Sequence, residues 1–360
     1  MTTSPQPDHG SGGATWGPPI ASSSPSPSTS QVAPHDWAAT STAGTGPDRH
    51  GAKLVDFRSV SKWYGAVMGV NEVSFSLEPG ITGLLGANGA GKTTLIKLMA
   101  GQLRPSLGDV SICGLRAWTA AAKAHVGYCP DVDTFYEEMS GRAFVQTMAR
   151  LHGYSPRAAA ERTEAVLAEV GMSDRADRRL RGYSKGMRQR IKLAQAIVHD
   201  PDVLVVDEPL NGIDPFGRHE LMEVLRSLGR RGKTVLISSH ILHEMDTLAE
   251  RVIFMGHGRV LATGTLAEIR NMFDQHPLHL HIASDRSREL ASRLVRWDLV
   301  RGIELRGPDD FRVQIMRPSD FFPRFSELVL EEGYEIERLQ TTDASASAIF
   351  DYVMQEAAHF

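Results

Sequence analysis

The sequence predicts an α/β fold built on a parallel sheet, and three stretches carry that prediction. Ile81 to Ala100 reads ITGLLGANGAGKTTLIKLMA, a short apolar run followed by a glycine-rich turn and then by apolar residues at helical spacing. Val203-Leu204-Val205-Val206 is the uninterrupted apolar pattern of a strand buried on both faces, and it ends on Asp207 and Glu208. Another strand, Thr234 to Ile237, ends in Ser238-Ser239-His240. Open α/β sheets bind ligands at the C-terminal ends of such strands.

Composition sets the outer bounds. A chain of 360 residues predicts two or three domains, and 41% hydrophobic residues suffice for ordinary cores. The net charge of −4 supplies no global basic field for nucleic acid. The two cysteines, Cys113 and Cys129, have no Cys or His neighbour in metal-ligand spacing and make no disulfide framework, which predicts a reduced, cytoplasmic protein. No apolar run reaches the length of a bilayer span, and the first residues lack the basic and apolar regions of a secretory signal.

Residues 1–50 are rich in Ser, Pro, Thr and Gly and are predicted to be a disordered tail. Folded sequence begins near Leu54, where Leu54, Val55 and Phe57 form a first strand. Val70 to Leu77 alternates, with Val73, Phe75 and Leu77 on one face. Between these strands, Tyr64 precedes a phosphate-type loop and can either stack on an adenine ring or pack in the core. Gly108 to Cys113 and His125 to Tyr128 are two further strands. An acidic turn follows, with Asp131, Asp133, Glu137 and Glu138. Helical patterning then runs from Gly141 to His152 and from Ser155 to Val170, with Pro156 a good start and Gly171 a good stop. Ser184 can cap a helix beginning near Gly186. The seven basic residues between Arg178 and Lys192 read as a solvated or phosphate-facing surface, because almost no aromatic residues are interleaved.

Gly86, Gly91, Lys92 and Thr93 have the spacing G-x-x-x-x-G-K-T, the phosphate-binding loop pattern, and strand and helix flank it in the required order. Gly86, Gly89 and Gly91 allow close backbone approach to an anion. The following helix adds unpaired N–H groups and the positive end of its dipole. Lys92 supplies charge against the β- and γ-phosphates, and the Thr93 hydroxyl can ligate Mg²⁺. Asp207 is placed to hold the Mg²⁺ shell and Glu208 to polarise a water for attack on the γ-phosphate. His240 ends its strand within reach of a phosphate.

Together these motifs resemble the ATPase subunit of ABC transporters from Leu54 to about Ile269. Gly86 to Thr93, including Asn88, Gly89 and Ala90, matches the Walker A loop, with Thr94 next to it. Val203 to Glu208 matches Walker B with its catalytic glutamate. Tyr183-Ser184-Lys185-Gly186-Met187 stands at the signature, Asn211-Gly212-Ile213-Asp214 resembles the D-loop, and His240 the switch histidine. The resemblance makes Tyr64 the adenine-stacking aromatic. It implies a P-loop NTPase domain at 54–272 with a helical subdomain at about 130–185. It also implies ATP and Mg²⁺ as cofactors, with Thr93, Asp207 and Asp131 at the metal and Glu208, His240 and Lys92 catalytic. In the family, Ser184 and Gly186 bind the γ-phosphate held by a second ATPase subunit, a copy or a paralogue. The helical insert, with the acidic turn near it, grips a separate integral-membrane permease at the cytoplasmic face. Two departures stand out. Lys185 replaces the first signature glycine, and Asp131 replaces the Q-loop glutamine. The Asp131 carboxylate can still ligate Mg²⁺ or a water but cannot donate as an amide does. This variant pattern resembles the branch that serves drug, antibiotic and polysaccharide export. Soluble ABC-type ATPases acting on ribosomes or nucleic acid form a second reading, and they usually carry two ATPase domains or a long coiled-coil insertion. A nucleotide-binding regulator with weak hydrolysis is a third, motivated by Asp131.

From Leu278 a new pattern begins. Its order βαββαβ over residues 277–360 predicts a small ferredoxin-like accessory α+β domain. A last helix, about Ser345 to Met354, is expected to fold back on that domain. His276, His279 and His281 suggest a metal, but an exposed polar strand face explains His279 and His281 more simply.

Overall fold

The computed structural model describes residues 54–272, 277–341 and 345–357. Strands β1 (Val55–Tyr64) and β2 (Val67–Leu77) form a hairpin, with Phe57 stacked on Phe75 at 4.6 Å between ring centroids. Strand β3 (Gly80–Gly86) is buried throughout and runs through the loop into α1 (Lys92–Met99). Leu95, Ile96, Leu98 and Met99 all face the core. Burial of such side chains is worth about 1.5–3 kcal/mol each as an upper bound. Strands β4 (Leu107–Ile112) and β5 (Leu115–Arg116) then complete an antiparallel sheet in the order β2-β1-β4-β5.

The short helix α2 (Ala120–Lys123) leads to β6 (Val126–Cys129). The helical insert follows as α3 (Gly141–Leu151) and α4 (Pro156–Glu169) and leads into α5 (Lys185–Ile197), each helix capped by a serine: Ser140, Ser155 and Ser184. These caps satisfy backbone N–H groups that the first helical turn leaves unpaired. The chain returns through β7 (Val203–Asp207), α6 (Pro215–Arg230), β8 (Thr234–Ser239), α7 (Leu242–Leu248), β9 (Arg251–Gly256), β10 (Arg259–Gly264) and α8 (Leu266–Met272). The second sheet has the order β10-β9-β3-β8-β7-β6, parallel except for β10. Strands β3, β7 and β8 are buried throughout because helices, α6 and α7 among them, cover one side, and α1 with the antiparallel sheet covers the other.

The third sheet comprises β11 (Leu278–Ser284), β12 (Val300–Leu305), β13 (Asp310–Ile315) and β14 (Ile336–Thr341). Helices α9 (Ser287–Leu294) and α10 (Pro318–Glu332) lie between them in sequence. It is antiparallel, in the order β12-β13-β11-β14, and has its own core, with Leu280, Ile282, Phe311, Val313 and Phe321 fully buried. The final helix, α11 (Ala346–Ala357), corrects the sequence expectation. Instead of folding onto this sheet it packs on α7, α8, β9 and β10. Ile349 and Val353 are buried there, Phe350 meets Phe254 at 5.6 Å, and the Ala346 N–H donates to Asp246 Oδ1 at 2.6 Å. Its apolar face finds an apolar groove on the larger unit, a match that helical periodicity cannot specify. His276 lies outside the described residues. His281 Nε2 pairs with Asp310 Oδ2 at 2.7 Å, so that half-buried strand face is internally paired rather than simply solvated.

Candidate functional site

The loop between β3 and α1 owes its shape to particular glycines. Gly91 has φ +102°, which side chains disfavour, and a Cβ there would also meet the Gly69 carbonyl oxygen at 2.6 Å. At Gly86 a Cβ would come within 2.6 Å of the Met255 oxygen. Gly91 offers no side-chain cap, so the first N–H groups of α1 stay available to an anion.

Lys92 is buried and folds back on the loop, with Nζ donating to the Gly86 oxygen at 2.6 Å and the Ala87 oxygen at 3.2 Å. Burial pushes its ammonium below the ordinary lysine value, while the negative charges of Glu208 and Asp207 push back. Across the cleft, parallel pairing of β7 with β8 sets Asp207 beside Ser238. The Ser238 hydroxyl donates to Asp207 Oδ1 at 2.5 Å and accepts from the Glu208 N–H at 3.0 Å. Burial raises the Asp207 carboxyl above its usual range. The hydrogen bond from Ser238 opposes this, and the charges of Asp131 and Glu208 add to it. Glu208 leaves the strand with φ +48°, a costly conformation for a side chain that is not glycine, and its Oε2 lies 2.7 Å from His240 Nδ1.

One cleft collects Tyr64, the loop from Ala87 through Asn88, Gly89, Ala90 and Gly91 to Lys92, Thr93 and Thr94, and then Asp131, Asp207 and Glu208. Tyr64 is 45% exposed, with its hydroxyl 3.4 Å from Thr94 Oγ1, so a ring face is presented rather than packed in the core. Gly86 lies at the base of the loop, and His240 joins through Glu208. Val67, Met68 and Gly69 also line the cleft. Sequence reasoning passed over them, and over the role of Ser238, because each is set by its sheet rather than by a motif. Three carboxylates and a hydroxyl are a hard-oxygen donor set, and a divalent cation of the Mg²⁺ type offsets both the burial that raises Asp207 and the added repulsion from Asp131 and Glu208.

Ser184 and Gly186 are not in this cleft. They line a second one, with Met172, Arg190, Asp214 and Phe216 among its walls. Ser184 Oγ accepts from the Met187 N–H at 3.3 Å, so the predicted cap is present. Most of the basic run before and along α5 is paired within the chain. Arg188 grips Glu137 through two 2.8 Å contacts, Arg179 and Arg181 share Glu138, and buried Lys192 meets Asp133 at 3.0 Å. The basic run and the acidic turn largely neutralise each other.

The sequence profile described as "ABC transporter" matches residues 70–211. The Nod factor export ATP-binding protein I of Burkholderia orbicola (strain AU 1054) is 41% identical over 213 residues, covering 58% of this chain and 70% of that protein. The daunorubicin/doxorubicin resistance ATP-binding protein DrrA of Streptomyces peucetius is 33% identical over 250 residues, covering 69% and 76%. A solved ATP-binding subunit of an ABC transporter superposes with a TM-score of 0.57 at 30% identity, over 61% of this chain and 93% of that one. A phosphate loop facing a buried aspartate and a histidine-bound glutamate, together with relatives of this similarity, identifies the chain as an ATP-binding ATPase of the ABC transporter family.

Proposed function

We propose that the chain is the motor subunit of an exporter. It binds and hydrolyses ATP in a dimer at the cytoplasmic face of a membrane and drives a separate permease chain. One observation carries the dimer: the phosphate loop and the Ser184–Gly186 helix start lie in different clefts of one chain. A second subunit placed head-to-tail brings its own Ser184 and Gly186 to the triphosphate, again at a helix N-terminus. Among the described residues, no helix is long and apolar enough to cross a membrane. Export is supported by what the relatives named above are called.

ATP in the first cleft stacks its adenine on Tyr64 and lays its phosphates along Gly86 to Thr94. Lys92 exchanges its carbonyl partners for the β- and γ-phosphates. Thr93, Asp207 and Asp131 would hold Mg²⁺, which would neutralise phosphate charge there. Glu208 takes a proton from the attacking water. When His240 Nδ1 carries the hydrogen, it donates to Glu208 Oε2 and leaves the other carboxylate oxygen for that water. His240 is thus a positioning residue for Glu208 besides facing the phosphate.

For the domains, we take 54–272 as the ATPase unit with its helical subdomain at about 130–185, and 277–341 as an accessory unit, with α11 returning to the ATPase unit. A ferredoxin-like assignment of the third sheet is supported by its βαββαβ order and by the adjacency of its first and third strands, β11 and β13.

The experiment is steady-state hydrolysis and nucleotide binding by Glu208→Gln. Removal of the base should lower turnover by about 10²–10⁴-fold while ATP binding persists. Undiminished turnover refutes the assigned role.

A further inference from the structure

We propose that Cys113, His125 and Asp202 form a binding site for one thiophilic divalent cation of the zinc class, at the end of the sheet opposite the phosphate cleft. The sequence gives no hint of it, since the three residues come from three separate segments. Cys113 directly follows β4, in the two-residue turn that pairs Ile112 with Leu115 of β5. His125 directly precedes β6 and Asp202 directly precedes β7, and the Val203 N–H donates to the His125 oxygen at 3.0 Å. Asp202 and Asp207 bracket one strand, so about 16 Å separates this cluster from the acidic end of β7.

A ligating atom of each residue lies within 4.8 Å of the other two. His125 Nδ1 stands 2.7 Å from Asp202 Oδ2. Tetrahedral zinc, with bonds of about 2.0–2.3 Å, sets its donors about 3.3–3.6 Å apart. The His–Asp pair must therefore open by under about 1 Å and the outer donors close by about as much, which side-chain rotation supplies. An ion can reach the three donors from solvent, because the His125 and Asp202 side chains are 40% and 28% exposed and Cys113 is half-buried. Thiolate, imidazole and carboxylate together select zinc-like ions over Mg²⁺ or Ca²⁺, and three protein donors leave a fourth position for water. On binding, the metal–sulfur bond replaces the Cys113 S–H bond and that proton passes to solvent.

The turn itself points the same way. Cys113 has φ +49° and Gly114 φ +77°. Two-residue turns with both φ values positive favour Asn, Asp or Gly at the first position. Cysteine is ill-suited there, yet it delivers a thiol to the His125–Asp202 pair. A metal so held ties the antiparallel sheet to the N-terminal ends of β6 and β7.

The test is titration of the metal-stripped full chain with Co²⁺ as a spectroscopic stand-in, followed by competition with Zn²⁺. Wild type should give a thiolate-to-cobalt charge-transfer band. The other thiol, Cys129, is fully buried and pushed up to about 12, so the band reports Cys113. Cys113→Asn suits the turn better and should fold at least as well, yet it should lose the band. Asp202→Asn should lower zinc affinity by at least about tenfold, and Cys113→Asn by more. Zinc should raise the thermal midpoint of wild type and not of Cys113→Asn, with Mg–ATP affinity equal in both. No zinc uptake by wild type at micromolar metal, or equally tight uptake by Cys113→Asn, overturns the site.

Discussion

The cleft at the start of α1 and the cleft at the start of α5 both offer backbone N–H groups at a helix N-terminus, yet only the first holds buried charge. Lys92 and Asp207 are each buried there, and desolvation disfavours the charged form of both. At the second, Ser184 is exposed, and the nearby Arg190 is already matched by Glu220 at 2.5 Å. Buried charge is costly even when hydrogen-bonded, as Lys92 is to the Gly86 and Ala87 oxygens and Asp207 to Ser238, and in the function proposed above a bound triphosphate relieves that cost in the first cleft. The second lacks that tension and contributes only once a triphosphate is brought to it.

Substitutions can break this contrast. The Glu208→Gln loss of turnover is the largest expected effect. Lys92→Ala should follow, with ATP affinity of the isolated chain down by about 10–100-fold as charge-assisted bonds are lost. Tyr64→Ala removes stacking worth about 1–3 kcal/mol, read as weaker affinity for ATP but an unchanged preference among bases. Ser184→Ala should leave single-chain ATP affinity unchanged, slow turnover of the dimer, and cost about 0.5–2 kcal/mol of stability through the lost cap. A fall in monomer affinity would erase the distinction between the clefts. The subtlest is Asp207→Asn. The folded carboxyl titrates above its ordinary value, so this one group's contribution to stability is fully present at acid pH and is lost as pH rises through the window between the unfolded and folded values. The amide keeps an acceptor for Ser238 and removes that loss. Metal-free Asp207→Asn should therefore melt higher than wild type at neutral pH, with the gap closing in acid. Thermal scans across pH check this.

Much of the first cleft was legible because its parts are local. Gly86 to Thr93 is one unbroken run, and Asp207 and Glu208 are consecutive. The contacts that tune them were not. The Ser238 hydroxyl reaches Asp207 across 31 residues, and Glu208 meets His240 across 32. The pairing of Glu137 with Arg188 spans 51 residues, and such pairs offset in space much of a run that looks basic in sequence. Strands β9 and β10 and helices α6, α7 and α8 also went without individual assignment in the sequence reading. Their apolar runs are short, and burial by neighbours decides between strand and helix there.

Glycine spacing, strand periodicity and serine caps by themselves determined the phosphate loop, the acidic strand end and most element positions, since each depends on backbone conformation within a few residues. Only tertiary structure decided which cleft Ser184 faces, where α11 docks and that Cys113 meets His125 and Asp202. Those outcomes depend on which distant surfaces fit together, and packing between separated segments leaves no periodic mark along the chain.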